Sequence, residues 1–326
     1  MKHSLGRRSV MVAVGVVASL AIVSVATGAG PTYNLKNLKG SITVDGSSTV
    51  GPYTTAAAEL FSRAGASGVK VTVGISGTGG GFQRFCRGEI DLSDASRPMR
   101  IAEAQSCKTN NVGSWRAFTV ANDALTVVTN QQNTWASCLT VAELKKIWEP
   151  GSKVNNWKDV RSSFPDVDLK LFGPGTDSGT FEYFTEAVNG RARASRSDYQ
   201  ASEDDNVLVQ GVSGERGGLG YFGYSYFVEN RSRLNAVQVR NPKTDQCVAP
   251  GVASVHNNTY KPLSRPLFIY AKGSSFKRTE VQAFLDYIFD NEVPIANRSR
   301  FVSLTKVQLK RARTNFILAV KASKKS

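Results

Sequence analysis

The sequence predicts an α/β protein of two lobes with a ligand cleft between them, and three observations carry that expectation. Short β-branched runs alternate with helix-like segments along most of the chain, the order that alternating βα units produce. About 300 residues follow an apolar leader, more than one hydrophobic core usually serves. No internal repeat or low-complexity linker separates two halves. Lobes joined without a linker exchange strands, and a ligand then sits between them.

Residues 1–29 read as a secretory signal peptide: basic Lys2, Arg7 and Arg8, an apolar run from Val10 to Val25, and small residues through Ala29. Cleavage is expected after Ser24-Val25-Ala26 or Thr27-Gly28-Ala29, with an uncleaved anchor as the alternative, and Arg7-Arg8 before Ser9-Val10 adds a faint twin-arginine export signal. No Cys precedes Cys86, so the leader carries no lipid-modified cysteine, and no other stretch is long and apolar enough to span a membrane. The protein is expected in the periplasm or at the cell surface.

Strand-like runs at 41–44, 69–75, 125–129 and 169–172 alternate with helix-like segments at 52–64, 81–88, 141–147 and 180–188. Residues 124–130 have the character of an outgoing crossover strand, followed by a capping box in which Thr140 caps and Glu143 answers it. The glycine- and aromatic-rich run 217–224 is the expected return, with a strand at 267–272 and a helix at 280–289 completing the first lobe. The expected boundaries are lobe I at 40–124 and 225–326, and lobe II at 125–224.

Three Ser/Thr/Gly clusters each close a strand-like run and open a helix-like one: Asp45-Gly46-Ser47-Ser48-Thr49-Val50, Ser76-Gly77-Thr78-Gly79-Gly80-Gly81-Phe82 and Gly175-Thr176-Asp177-Ser178-Gly179-Thr180-Phe181. The first N–H groups of a helix lack internal partners and its dipole is positive there, so such junctions suit a small oxyanion. Arg97 closes a strand-like stretch just before Pro98, where its planar fork could reach into the cleft and pair bidentately with that anion.

Catalytic groups are scarce. Beyond the leader the only histidine is His256, in a polar stretch with the character of a surface loop, which leaves a Ser-His or Cys-His nucleophile system one poorly placed base. The four cysteines lack paired metal-ligand spacing, the Gly77–Gly81 cluster lacks the Gly-Lys-Ser/Thr of a nucleotide loop, and Glu203-Asp204-Asp205-Asn206 fits an acidic N-cap better than a calcium loop. No metal and no cofactor is expected. A hydrolase using Ser178 or Thr180 as nucleophile is the weaker enzymatic alternative.

In an exported chain the even count of Cys86, Cys107, Cys138 and Cys247 favours disulfides. Of three connectivities, Cys86–Cys107 with Cys138–Cys247 is preferred, the first bridge on proximity. The formal charge is +15, yet three basic residues fall in the leader and eight between Arg300 and Ser326, leaving a body of 30 basic against 26 acidic residues. That mild excess does not call for nucleic acid. The C-terminal segment reads as a basic helix with a solvated face, attraction to a surface polyanion being its alternative role.

In this order and spacing, the clusters 45–50 and 76–82, Asp94-Ala95-Ser96-Arg97-Pro98, and 173–181 resemble the PstS-type phosphate-binding proteins of ABC transporters, over the chain from about Gly40 to the final helix. The resemblance implies a two-lobed periplasmic-binding-protein fold of type II, closing on inorganic phosphate without catalysis and delivering it to a membrane permease. A monomer is usual for such receptors. It further implies phosphate contacts from Ser48, Thr49 and Val50, from Ser76, Gly77 and Thr78, from Ser96, and from Ser178, Gly179 and Thr180. This chain departs from the family at two places: Ser96 stands where many members have the Asp that accepts the phosphate proton, and no Arg precedes Ser178. Arg97 is the expected substitute cation and Asp177 or Asp45 the substitute acceptor. Sulfate, molybdate or a phosphonate are the alternative anions for the same fold.

Overall fold

The alternation read in the sequence folds into parallel βα units on either side of one long shared strand. A computed structural model describes Met1 and residues 32–324, so the expected leader lies, Met1 aside, outside the described residues. Tyr33–Ser326 form one compact unit. The first lobe opens with β1 (Gly40–Gly46), α1 (Gly51–Arg63), β2 (Val69–Gly74), α2 (Gly77–Cys86), β3 (Leu92–Ala95) and α3 (Ile101–Thr109). Then β4 (Trp115–Asn130) leads to β5 (Cys138–Thr140), α4 (Val141–Trp148), α5 (Trp157–Val160), β6 (Lys170–Pro174), α6 (Gly179–Phe184), β7 (Gln200–Ser202), α7 (Asp205–Gly214) and β8 (Gly218–Gly223). The chain continues through α8 (Tyr224–Asn230), β9 (Leu234–Ala236), β10 (Gln238–Arg240), β11 (Cys247–Val248), α9 (Val252–His256), β12 (Ser264–Lys272), α10 (Thr279–Asp290), α11 (Glu292–Arg298) and α12 (Lys306–Ser323).

The main sheet has the order β2-β1-β3-β12-β4-β8-β6-β7, with β9 also on β4, and a small sheet has the order β11-β10-β5. Strand β4 serves both halves. From Trp115 to Ala124 it pairs antiparallel with β12, and from Leu125 to Thr129 with β8. The switch of partner falls between Ala124 and Leu125, the start of the run read as a crossover.

Two apolar clusters follow this division. One joins Ile42, Val44, Phe61, Phe118, Ile269, Phe284 and Phe316. The other joins Leu125, Leu144, Trp148, Trp157, Phe184, Tyr221, Val239 and Leu263. The fold is thus the two-lobed α/β architecture expected, with two differences in where the chain returns. Strand β8 stays in the second half, parallel to β6, and it is β12 that runs back beside β3 and β4. Val237, Val239, Tyr260 and Leu263 pack in the second cluster, so segment 234–263 lies with residues 125–223 and not with the first lobe from 225 onward. Its pairing on β5 at the register Val239↔Leu139 holds it there. That partner lies about a hundred residues upstream, beyond the reach of a local pattern.

Helix α2 begins at Gly77, earlier than the expected 81, because the Asp45 carboxylate accepts the Ser76 N–H at 2.9 Å and fixes the turn. Helix α4 starts as read: Thr140 Oγ1 accepts the Glu143 N–H at 3.0 Å and the Glu143 carboxylate accepts the Thr140 N–H at 2.8 Å. Both preferred disulfides are formed, Cys86–Cys107 tying α2 to α3 and Cys138–Cys247 tying β5 to β11. His256 ends α9 half-buried, its Nε2 2.8 Å from the Ser303 carbonyl oxygen, rather than standing in a surface loop.

Candidate anion site at the lobe junction

The first expected turn touches each of the other two clusters, the second through the body of α2 and the third at its helix N-terminus. In the first, Ser47 donates its N–H to the Asp94 carbonyl at 3.0 Å, and its Oγ accepts from the N–H groups of Thr49 and Val50 at 3.2 and 3.4 Å. The second packs against it so closely that a Cβ at Gly81 would lie 2.5 Å from the Gly46 Cα. The third is capped by Ser178, whose Oγ accepts from Thr180 and Phe181 at 3.1 and 3.4 Å. A Cβ at Gly179 would lie 2.4 Å from Thr49 Oγ1 and 2.8 Å from Thr49 N. Only glycine permits that approach of α6 to α1.

Aromatic packing fixes the α6 end. Phe184 stacks on Tyr221 with ring centroids 3.7 Å apart, and Trp148 meets Phe184, Tyr199 and Tyr221 edge-on. Such pairs contribute about 0.5–1.5 kcal/mol each beyond their buried area, which holds Ser178 and Gly179 in place against Thr49.

Ser48, Thr49, Ser178, Gly179 and Thr180 line one cavity of about 360 Å³ together with Asp123. The other expected residues stand elsewhere. Val50 is buried in the first core. Thr78 and Ser96 bond to each other through their hydroxyls at 3.0 Å. Ser76 and Gly77 form the turn into α2, and Asp177 is exposed, its N–H donating to Glu203 at 3.2 Å. Arg97 is committed to Glu103, Nη1 to Oε2 at 2.9 Å and Nη2 to Oε1 at 2.7 Å. Its positive charge is balanced there. Asp45 is committed too, accepting from Ser76 and from the Arg84 guanidinium. Burial raises its carboxyl, but the bonds from Ser76 and Arg84 and the Gly46 amide more than offset this, and it stays ionised below the usual range.

Arg298 and Arg300 also line that cavity, paired with Glu59 and Glu229. The buried cation that bonds a residue of the turns is Arg265, which no motif singled out. It sits on β12 opposite Asp123 of β4, next to the point where β4 changes partners. Its Nε donates to Asp123 Oδ2 at 3.2 Å and its Nη2 to Thr49 Oγ1 at 3.0 Å. The guanidinium carbon lies 3.6 Å from the centroid of the Tyr183 ring on α6. The two charged side chains are only 12% and 6% exposed. A buried charge needs a partner and satisfied donors, and burial raises the Asp123 carboxyl against the opposing pull of Arg265. A guanidinium has five N–H donors, and among the described residues Nη1 makes no hydrogen bond. Arg265 therefore retains donor capacity beside a threonine of one lobe and a helix N-terminus of the other. A signal for it did exist: Ser264-Arg265-Pro266 repeats the tripeptide Ser96-Arg97-Pro98.

Among the described residues no group of three or more His, Cys, Asp or Glu could hold a metal ion, and no helix is long and apolar enough to cross a membrane. Residues 27–292 match the model of the PBP superfamily domain. The chain is 44% identical to the protein SphX of Synechococcus elongatus over 287 residues, 87% of this chain and 84% of that one. It is 34% identical to the phosphate-binding protein PstS of Staphylococcus epidermidis over 274 residues, 83% and 81% of the two chains. Among solved structures it is similar to a protein of Planctomyces limnophilus described as a possible phosphate binding protein, with TM-score 0.82 and 46% identity over 87% of this chain and 99% of that one. PstS from Borrelia burgdorferi, at TM-score 0.63 and 19% identity over 82% of this chain and all of that one, shares the fold.

Proposed function

This chain belongs to the PBP superfamily and, within it, to the family of the SphX and PstS proteins, and we propose from that membership that it captures inorganic phosphate between its lobes and delivers it to an ABC-transporter permease. It works as an exported receptor, as a monomer, in the periplasm or at the cell surface, and without catalysis. The observation that carries the reading is the junction of Thr49, Gly179 and Arg265. Helix N-termini of two lobes meet there, beside a buried guanidinium that bonds Thr49 Oγ1 and stacks on Tyr183 of α6 with donors to spare.

In this reading Arg265, not Arg97, is the cation of the site, and Asp123, not Asp177 or Asp45, is the carboxylate beside the anion. Hydroxyls of Ser48, Thr49, Ser178 and Thr180 complete the shell. A fixed carboxylate that accepts the proton of hydrogen phosphate rejects fully deprotonated sulfate, so Asp123 supplies the discrimination that Ser96 cannot. Closure over the anion is what a permease recognises, a population shift driven by ligand.

The test is calorimetric titration of protein stripped of bound anion by partial unfolding, with phosphate and then sulfate. One-to-one phosphate binding is expected, and binding of sulfate alone would move the assignment to another oxyanion. A micromolar dissociation constant corresponds to about −8 kcal/mol, and a hydrogen bond to a charged group contributes about 1.5–3 kcal/mol. Arg265→Gln should therefore weaken phosphate roughly 10- to 100-fold, while Arg97→Gln stays within about threefold. The reverse ranking would return the role to Arg97.

A further inference from the structure

The basic C-terminal helix, which phosphate capture leaves unused, presents an organised outer face. Helix α12 runs 18 residues, about 27 Å at 1.5 Å per residue. Ala312, Phe316, Ala319 and Val320 bury its inner side. Arg313 pairs with Asp286 and Asp290 of α10. Lys306, Lys310, Arg311, Lys321 and Lys324 are exposed, and among the described residues none of them makes an ion pair. The chain from Arg300 to Ser326 contains no acid that could neutralise them.

Two large apolar side chains stand among these cations, Val307 at 78% and Leu318 at 57% exposure. They share one stripe with Arg311 and Thr314, since positions four, seven and eleven apart fall on one side of a helix. Single exposed apolar residues mean little. Here two of them stand about 16 Å apart on one stripe, flanked by unpaired cations. That arrangement suits contact with an anionic bilayer, where Lys and Arg meet headgroups and apolar side chains enter the acyl boundary.

We infer that the outer face of α12 docks this protein onto a membrane surface rich in anionic phospholipid. A soluble polyanion would need only the cations. It would gain nothing from Val307 and Leu318, which is why the lipid surface is the better occupant.

The assay uses the chain from Tyr33 onward, the compact unit that carries α12, because the apolar leader would itself enter vesicles. Co-sedimentation compares phosphatidylcholine vesicles with vesicles containing one third phosphatidylglycerol. Binding is expected to the anionic vesicles alone and to weaken at least tenfold between low and high salt, because surface charges are screened. The triple variant Lys310→Gln, Arg311→Gln, Lys321→Gln should lose at least tenfold. Val307→Ser with Leu318→Ser should weaken vesicle binding severalfold and leave binding to polyglutamate unchanged. Equal binding to neutral vesicles, no binding to anionic vesicles at low salt, or indifference of vesicle binding to the Val307/Leu318 change would overturn the inference, the last outcome assigning the face to soluble polyanions. All five positions are exposed, so melting temperature and phosphate titration of the variants should match the parent, which separates loss of docking from loss of fold.

Discussion

Asp94 lies wholly out of solvent on β3, its Oδ1 accepting the Thr54 hydroxyl at 2.9 Å and its Oδ2 without a partner among the described residues. Burial pushes this carboxyl up to about 8, the Thr54 bond opposing and the negative charge of Asp45 adding. In the unfolded chain it titrates near 4. The fold therefore binds this proton more tightly, and the stability it contributes is full below pH ~4 and lost as pH rises through ~8. Asp94→Asn, neutral at every pH, should gain in melting temperature relative to the parent as pH goes from 4.5 to 9, and parallel curves would refute the assignment. The two Ser-Arg-Pro tripeptides show how far single residues are legible. Local pattern treats Arg97 and Arg265 alike. What separates them is that Glu103 stands one helical turn into α3 and neutralises Arg97, whereas Arg265 finds Asp123 142 positions away.

At the scale of elements, the helix starts were readable because their chemistry is local. Thr140 and Glu143 satisfy each other's backbone within three residues, and Ser178 caps the amides of Thr180 and Phe181. Which starts meet was not readable from spacing alone, since α1 and α6 lie about 130 positions apart and their contact depends on the absence of one side chain. Gly179→Ala would place a methyl 2.4 Å from Thr49 Oγ1, too close for the two helix ends to keep their approach. Phosphate affinity should fall at least tenfold, and the melting temperature should fall with it, because the methyl also meets the Thr49 backbone N at 2.8 Å and overpacking of that kind costs about 1–3 kcal/mol. Unchanged affinity in calorimetry would mean that the two termini do not jointly hold the anion.

Across the whole molecule, the second lobe is closed by segment 234–263, and Cys138–Cys247 locks that closure over a separation of 109 residues, against 21 for Cys86–Cys107. Loop-closure entropy grows slowly with loop length, giving about 3 kcal/mol for a short loop and between 4 and 5 kcal/mol for a hundred-residue one. Replacing Cys138 and Cys247 by serine should thus lower the urea midpoint more than replacing Cys86 and Cys107. Equal losses would point to native-state packing instead of chain entropy. The sequence by itself determined the βα alternation, the helix caps and the family, all of which rest on neighbours in the chain or on motifs in fixed order. It preferred one of three cysteine connectivities, which the structure then showed to be formed. Only the tertiary structure decided that β12 and not β8 returns to the first lobe, that 234–263 belongs to the second, and that Arg265 with Asp123 stands where the lobes meet. Strand partners and buried charge pairs are selected by packing and by the need to neutralise a charge removed from water, and both join residues that no local pattern links.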